Sequence, residues 1–217
     1  QNWAGYYIRE NGTTAVSATW QVPRVTGPAD SDSSTWIGIG GVKNDSLIQA
    51  GTDQLLQKGK PYYYAWYELL PALPQPFKHI DLLPGDIVTF TITATSQQTW
   101  SIDVIDYDAN EHQTQAVTYQ SCRCSAEWIE EAPSIQQQQV VLANFTSVTF
   151  QNITTTRYGR AFTPARLCPL QVAPGPNCAV PVRMIDARGV LMVEPQVLHS
   201  GGFSLVYVYQ QPGTAGG

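Results

Sequence analysis

The segment DIVTFTITAT, residues 86–95, constrains the fold more than any other stretch of the chain. Val88, Phe90, Ile92 and Ala94 fall on one parity, and Thr89, Thr91, Thr93 and Thr95 on the other. Successive side chains of an extended strand point to opposite faces, so this pattern predicts a strand with one buried and one wet face. Comparable runs recur at 13–22, 34–40, 62–70, 100–106, 125–131, 140–150, 180–187, 190–198 and 202–210. Turn residues separate them: PGD at 84–86, DAN at 108–110, ARG at 187–189 and SGG at 200–202. The apolar residues of SLIQAGTDQ (46–54) read as part of a further, buried strand. A helical turn or a loop is expected near APSIQQQQ (132–139). Ten or more strands without a helical period predict an all-β fold, a two-sheet antiparallel β-sandwich of the jelly-roll or concanavalin-like kind. A single domain is expected over residues 1–210, with a flexible tail at 211–217.

Of the 217 residues, 43% are hydrophobic, enough for a sizeable core, and 13% are charged, against a usual charged share of roughly 25%. The formal net charge is −5, which argues against a nucleic-acid or anionic-membrane surface. A surface solvated by neutral polar groups gains little unbalanced charge when carboxylates protonate, which suits an acidic medium. No apolar run approaches the roughly 20 residues of a membrane span. The start at Gln1 reads as a mature form whose targeting segment has been removed. Asn11, Asn44, Asn144 and Asn152 begin N-x-[ST] sequons and favour an extracellular location. Among the four cysteines, Cys168 and Cys178 bracket a Pro/Gly loop that a disulfide can close. Cys122 and Cys124, read as strand residues, are not expected to pair with each other. Two long-range bridges, or one bridge with free thiols, remain open alternatives. A zinc site is disfavoured because no His or Cys cluster matches the C-x-C pair.

G-x-S-x-G, H-E-x-x-H and Asp-Thr/Ser-Gly signatures are absent, and His79, His112 and His199 lack ligand spacing. What remains are carboxylates and amides on strands. In SAEWIEE, Glu127, Ile129 and Glu131 share one face, opposite Ala126, Trp128 and Glu130. In YYYAWYELL, Tyr62, Tyr64, Trp66 and Glu68 share a face. These are either a core stripe ending in an exposed acid or the aromatic wall of a substrate groove. Gln49 follows Leu47 and Ile48, and a buried amide without partners costs roughly 1–3 kcal/mol. Taken alone, such a glutamine satisfies neighbouring backbone groups.

Together these segments resemble a family. NWAGYY (2–7), ATWQVP (18–23), STWIGIGG (34–41), LIQAGTD (47–53), YYAWYELLP (63–71), AEWIEE (126–131) and FTSVTFQN (145–152) occur in the order and rough spacing of the glutamic peptidases, or eqolisins. The resemblance covers nearly the whole chain and implies two packed antiparallel sheets of about seven strands. It implies that Gln49 and Glu127 match the catalytic glutamine and glutamate, and that Trp36, Trp66 and Glu68 match residues of the concave, substrate-facing side. It further implies a pro-segment removed on maturation and no metal or organic cofactor. Gly40, Tyr64 and Leu70 stand where fungal members tend to carry an acid, an acid and an aromatic, marking a divergent branch.

The chemistry expected from such a dyad is peptide hydrolysis by an activated water. Glu127 acts as general base and then acid, while Gln49, which does not titrate, orients the water and donates to the oxyanion. An extended polypeptide is the expected substrate, with Trp36, Tyr62, Tyr64 and Trp66 as apolar subsites, and a secreted monomer is the expected form. The competing readings are a jelly-roll glycoside hydrolase using Glu68 and Glu127, and a non-catalytic lectin-like module. The glycosidase requires carboxyls about 5–5.5 Å or about 6.5–9.5 Å apart.

Overall fold

A computed structural model of the chain describes residues 1–135, 138–164, 178–197, 199 and 201–208. The alternating threonine segment forms the strand Ile87–Ala94, with Val88, Phe90 and Ile92 fully buried. Two sheets stack on their apolar faces. The first runs Val180–Val182, Trp3–Arg9, Ser125–Glu131, Ser31–Ile39, Ile48–Gln57, Lys60–Leu69, Gln75–Pro76. The second runs Glu111–Thr118, Thr99–Asp106, Ile87–Ala94, Thr13–Gln21, Val148–Arg157, Phe203–Tyr207, Leu191–Pro195, Met184–Ile185. The sheets hold eight and nine strands rather than about seven. The surplus lies in short pieces such as Val141–Leu142, which pairs parallel to Ser31–Ile39, and Arg160–Phe162. No helix occurs among the described residues.

Large aromatic side chains fill the space between the sheets. Trp20 stacks on Phe90 at 4.9 Å between ring centroids and meets Phe150 at 5.5 Å. Their polar ends cross the sandwich: Trp20 Nε1 donates to Thr52 Oγ1 (3.1 Å) and Trp128 Nε1 to the Ser17 carbonyl (3.1 Å). Tyr6 Oη likewise donates to the Gln196 carbonyl at 2.9 Å. A buried indole or phenol needs such a partner, and here each partner fixes one sheet against the other.

Three expectations require correction. Residues 140–150 are not one strand. Val141–Leu142 pairs with the first sheet, Asn144–Phe145 with Val25–Thr26, and the strand from Val148 with the second sheet. An apolar run here marks a chain crossing between layers, where both sheets bury it in turn. The 132–139 segment contains the antiparallel pair Ser134–Ile135 and Gln138–Gln139 instead of a helical turn. Cys122 and Cys124 do form a disulfide, with Cα atoms 5.2 Å apart. They lie in the connection before Ser125–Glu131, where Arg123 has φ +50°, and this turn closes the roughly 6.6 Å that two strand steps would open. Cys178 is also disulfide-bonded. Cys168 and the 211–217 tail lie outside the described residues. Besides short pieces of two or three residues, two long strands went unpredicted, Trp3–Arg9 and Glu111–Thr118. The second has no fully buried position and so lacks a hydrophobic stripe.

Candidate active site

Cross-strand partners point to the same face of a sheet, so the register of the first sheet converts distant sequence positions into rows. One row crosses five strands as Tyr7, Glu127, Gly38, Gln49 and Glu68. The next is Gly5, Ile129, Trp36, Gly51 and Trp66, and the third is Trp3, Glu131, Ser34, Asp53 and Tyr64. All project away from the main core, because the alternate residues Ala4, Tyr6, Ile37, Ala50, Ala65, Ala126 and Trp128 belong to it.

Gly38 separates the two predicted catalytic residues. A Cβ there would lie 3.2 Å from Glu127 Oε2, 2.8 Å from Leu47 Cδ1 and 3.0 Å from the Trp36 ring. Only hydrogen fits without displacing them, so Glu127 and Gln49 face each other over a strand that presents no side chain. Gln49 Nε2 donates to Glu68 Oε2 at 2.5 Å. Gln49 Oε1 and both carboxyl oxygens of Glu127 are buried and accept no hydrogen bond. Since native proteins pair most buried polar atoms, this concentration of unpaired oxygens in one row marks a place built for another polar group.

The second row supplies walls. Trp36, Leu47, Trp66 and Ile129 form an apolar cluster separate from the core. Gly51 permits it, since a Cβ there would come within 2.6 Å of Trp36 Cβ. Trp36 is clamped: its Nε1 donates to Glu131 Oε2 at 2.8 Å, and Trp3 meets its ring edge-on at 4.9 Å. Trp36 is therefore fully buried and Trp66 nearly so, while Tyr62 is 47% exposed. Tyr62 and the half-buried Tyr64 are the accessible aromatics of this face.

Carboxyl groups crowd this sheet, and burial is the first cause of every shift. It pushes Glu127 well above the ordinary range, partly opposed by the nearby Ser125 hydroxyl, which does not reach it in normal hydrogen-bond geometry. Glu68 rises for the same reason, held back by Gln49. Glu131 reaches about 7, with the Trp36 indole opposing burial. On the inward face Glu130 reaches about 8, opposed by Thr35, whose Oγ1 donates to Glu130 Oε2 at 2.6 Å. Asp32 and Asp53 are raised as a pair, by burial and then, for Asp32, by its neighbour's charge; the Tyr64 hydroxyl donates to Asp53 and lowers it.

The structure thus brings Gln49, Glu127, Trp36, Tyr62, Tyr64, Trp66 and Glu68 to one face. Sequence reasoning missed Gly38, Asp53, Asp32 and Trp3; period-2 parity from Gln49 reaches Asp53, but the glycine's role needs the register. Glu68 and Glu127 stand three strand spacings apart along the backbone, roughly 14 Å, with Gln49 on the strand between Gly38 and Glu68. Gly40, where fungal members carry an acid, has φ +99°, and a Cβ would come 2.0 Å from the Ser46 carbonyl and 3.5 Å from Cys122 Sγ. A surface cleft of about 390 Å³ around Phe150, His199 and Phe203 lies on the other sheet and is lined by none of the candidate site residues.

Comparison with known proteins gives a consistent picture. Residues 1–174 match the model of the Peptidase A4 family. The chain is 29% identical over 189 residues to Aspergillopepsin-2 of Aspergillus niger, a match spanning 76% of this chain and 67% of that one. It is 30% identical over 135 residues to Scytalidopepsin B of Scytalidium lignicola, spanning 60% and 51% of the two. The crystal structure of scytalido-glutamic peptidase with a transition state analog inhibitor superposes with TM-score 0.81 at 25% identity, covering 95% of this chain and 98% of that one. That of aspergilloglutamic peptidase from Aspergillus niger gives TM-score 0.68 at 28% identity, covering 82% and 100%.

Proposed function

This chain belongs to the Peptidase A4 family, the glutamic peptidases, and on that premise we propose that it is a secreted, acid-acting endopeptidase whose catalytic dyad is Gln49 and Glu127. The observation that carries the reading is their common row across Gly38, with buried oxygens that accept nothing from the protein. A water held between them loses a proton to the Glu127 carboxylate as its oxygen attacks the scissile carbonyl carbon. One Nε2 hydrogen of Gln49 is engaged by Glu68, and the other is left to donate to the oxyanion that develops. Collapse of that intermediate breaks the C–N bond while Glu127 returns the proton to the leaving nitrogen. Glu68 is a positioning residue, fixing which way the Gln49 amide turns.

Burial by the protein alone raises Glu127 rather than lowering it, contrary to the lowered value that strong acid activity would favour. A bound water donating to the carboxylate favours the charged form and moves the group back down. Acid operation has separate support, because the crowded carboxyls around Asp53 and Glu131 are uncharged only in acid. Disulfide-bonded Cys122, Cys124 and Cys178 support an oxidising, extracellular setting. The test is digestion of an unfolded protein from pH 2 to 7 by the wild type, Glu127→Gln and Gln49→Ala. Folded Glu127→Gln that cleaves as fast as wild type removes Glu127 from the mechanism; undiminished Gln49→Ala removes the amide.

A further inference from the structure

At one end of the second sheet, not the sheet that carries Gln49 and Glu127, one oxygen of each of Asp86, Asp106 and Asp108 lies within 4.8 Å of one from each of the other two. Asp86 closes the PGD turn ahead of Ile87–Ala94, Asp106 ends Thr99–Asp106, and Asp108 follows in the adjoining turn. Main-chain N–H groups hold all three carboxylates. Leu83 N donates to Asp86 Oδ2 at 2.6 Å and Ile87 N to Asp108 Oδ2 at 2.7 Å. Asp106 Oδ1 accepts from Asp108 N at 2.9 Å and Ala109 N at 3.1 Å.

Asp106 is 0% exposed, and its second oxygen, Oδ2, is buried with no hydrogen-bond partner. Among the described residues, none of the three carboxylates is in an ion pair. Three carboxylates fixed side by side, one of them with a desolvated and unpaired oxygen, are costly unless positive charge joins them.

We propose that Asp86, Asp106 and Asp108 form a binding site for a divalent cation of the calcium class, with buried Asp106 as the anchoring ligand. The donor set is oxygen alone, which selects a hard ion over zinc or copper. Oxygens within 4.8 Å of one another can all reach one ion at bonds of about 2.4 Å, and calcium accepts the irregular arrangement two turns supply where magnesium demands a near-ideal octahedron. The exposed side of Asp108 leaves room for water to complete the shell. Such an ion staples the 83–86 turn to the 107–110 turn, and its effect is on stability rather than on peptide cleavage.

The rival explanation for the unpaired oxygen is a proton shared between Asp86 and Asp106. Terbium, a luminescent calcium substitute, separates the two, since Tyr107 sits between two of the ligands to sensitise it. The chelator-treated full chain at pH 6.5 is expected to show saturable terbium emission displaced by calcium. Its thermal midpoint should rise by several degrees in millimolar calcium, by mass action on the folded state. Asp108→Asn, at an exposed position and with its circular dichroism unchanged, should weaken binding at least tenfold. Emission or midpoint indifferent to calcium, or unchanged in a folded Asp108→Asn, overturns the proposal. A midpoint that follows pH but not calcium assigns the site to the shared proton instead.

Discussion

Glu130 offers the sharpest test of the link between this fold and acidity. Its carboxyl is fully buried on the inward face, accepts from Thr35 Oγ1, and has no partner at Oε1. Burial raises it from 4.5 to about 8. In the unfolded chain it returns to the ordinary value, so between these limits the unfolded state binds fewer protons than the folded one. The resulting stability is complete below pH 4.5, falls as pH rises, and is lost above about pH 8. At about 1.4 kcal/mol per pKa unit the loss is on the order of 5 kcal/mol, comparable to the whole stability of many domains, about 5–15 kcal/mol. Glu130→Gln removes the titration while keeping the shape. Any cost of the buried amide is constant with pH, so the slope isolates the carboxyl. Urea unfolding of both proteins at pH 4, 6 and 8 should show the wild-type midpoint falling roughly 2 M further than the variant's, for a denaturant slope of about 2–3 kcal/mol/M. Parallel pH dependence in the two proteins refutes the reasoning, because Glu130 would then be ionised already or equally shifted when unfolded.

Gly38→Ala should cut turnover at least tenfold and, because the added methyl also overlaps Leu47 and Trp36, cost about 1–3 kcal/mol of stability; steady-state kinetics on the folded variant beside a melting curve checks this. Glu68→Ala should lower kcat more than KM, by roughly tenfold, with partial rescue in Glu68→Gln, whose amide oxygen can still accept from Gln49. Because burial raises Glu127 and hydrogen bonds from substrate lower it again, the acid limb of kcat should lie below that of kcat/KM; a pH–rate profile decides. Phe150→Ala, at a fully buried ring stacked 5.0 Å from Phe203, should cost about 3–5 kcal/mol in urea unfolding.

The layer structure was legible wherever alternation was clean, as in Ile87–Ala94, and illegible where burial had another source. Glu111–Thr118 alternates half-buried with exposed polar residues at an edge, so nothing apolar announces it. The 140–150 run is apolar because it serves three pairings in succession. Candidate site residues were visible one at a time as polar groups at buried parity. Their meeting was not, because it depends on register: Gly38 faces both Gln49 and Glu127 only after three strands have paired. The Cys122–Cys124 bridge depends on one left-handed residue, Arg123, whose conformation no spacing rule reveals. Asp86 and Asp106 are twenty positions apart and meet for the same reason as the dyad, through strand pairing.

Placement on a buried sheet face explains both the chemistry and its setting. A strand offers one side chain per row, so a two-residue device needs two strands and a gap between them, which Gly38 supplies. The apolar cluster of Trp36, Leu47 and Ile129 borders the proposed dyad, and a low-polarity setting strengthens any hydrogen bond formed there. The same seclusion raises every carboxyl on the sheet, including Asp32, Asp53, Glu130 and Glu131, to which the proposed mechanism gives no proton-transfer step. These groups tolerate burial while protonated and strain the fold when they ionise. On this reasoning acid compatibility is not a separate adaptation of the surface. It follows from surrounding one reactive glutamate with a dry sheet that other acids share, so variants that neutralise Glu130 should widen the pH range of stability without moving the acid limb set by Glu127.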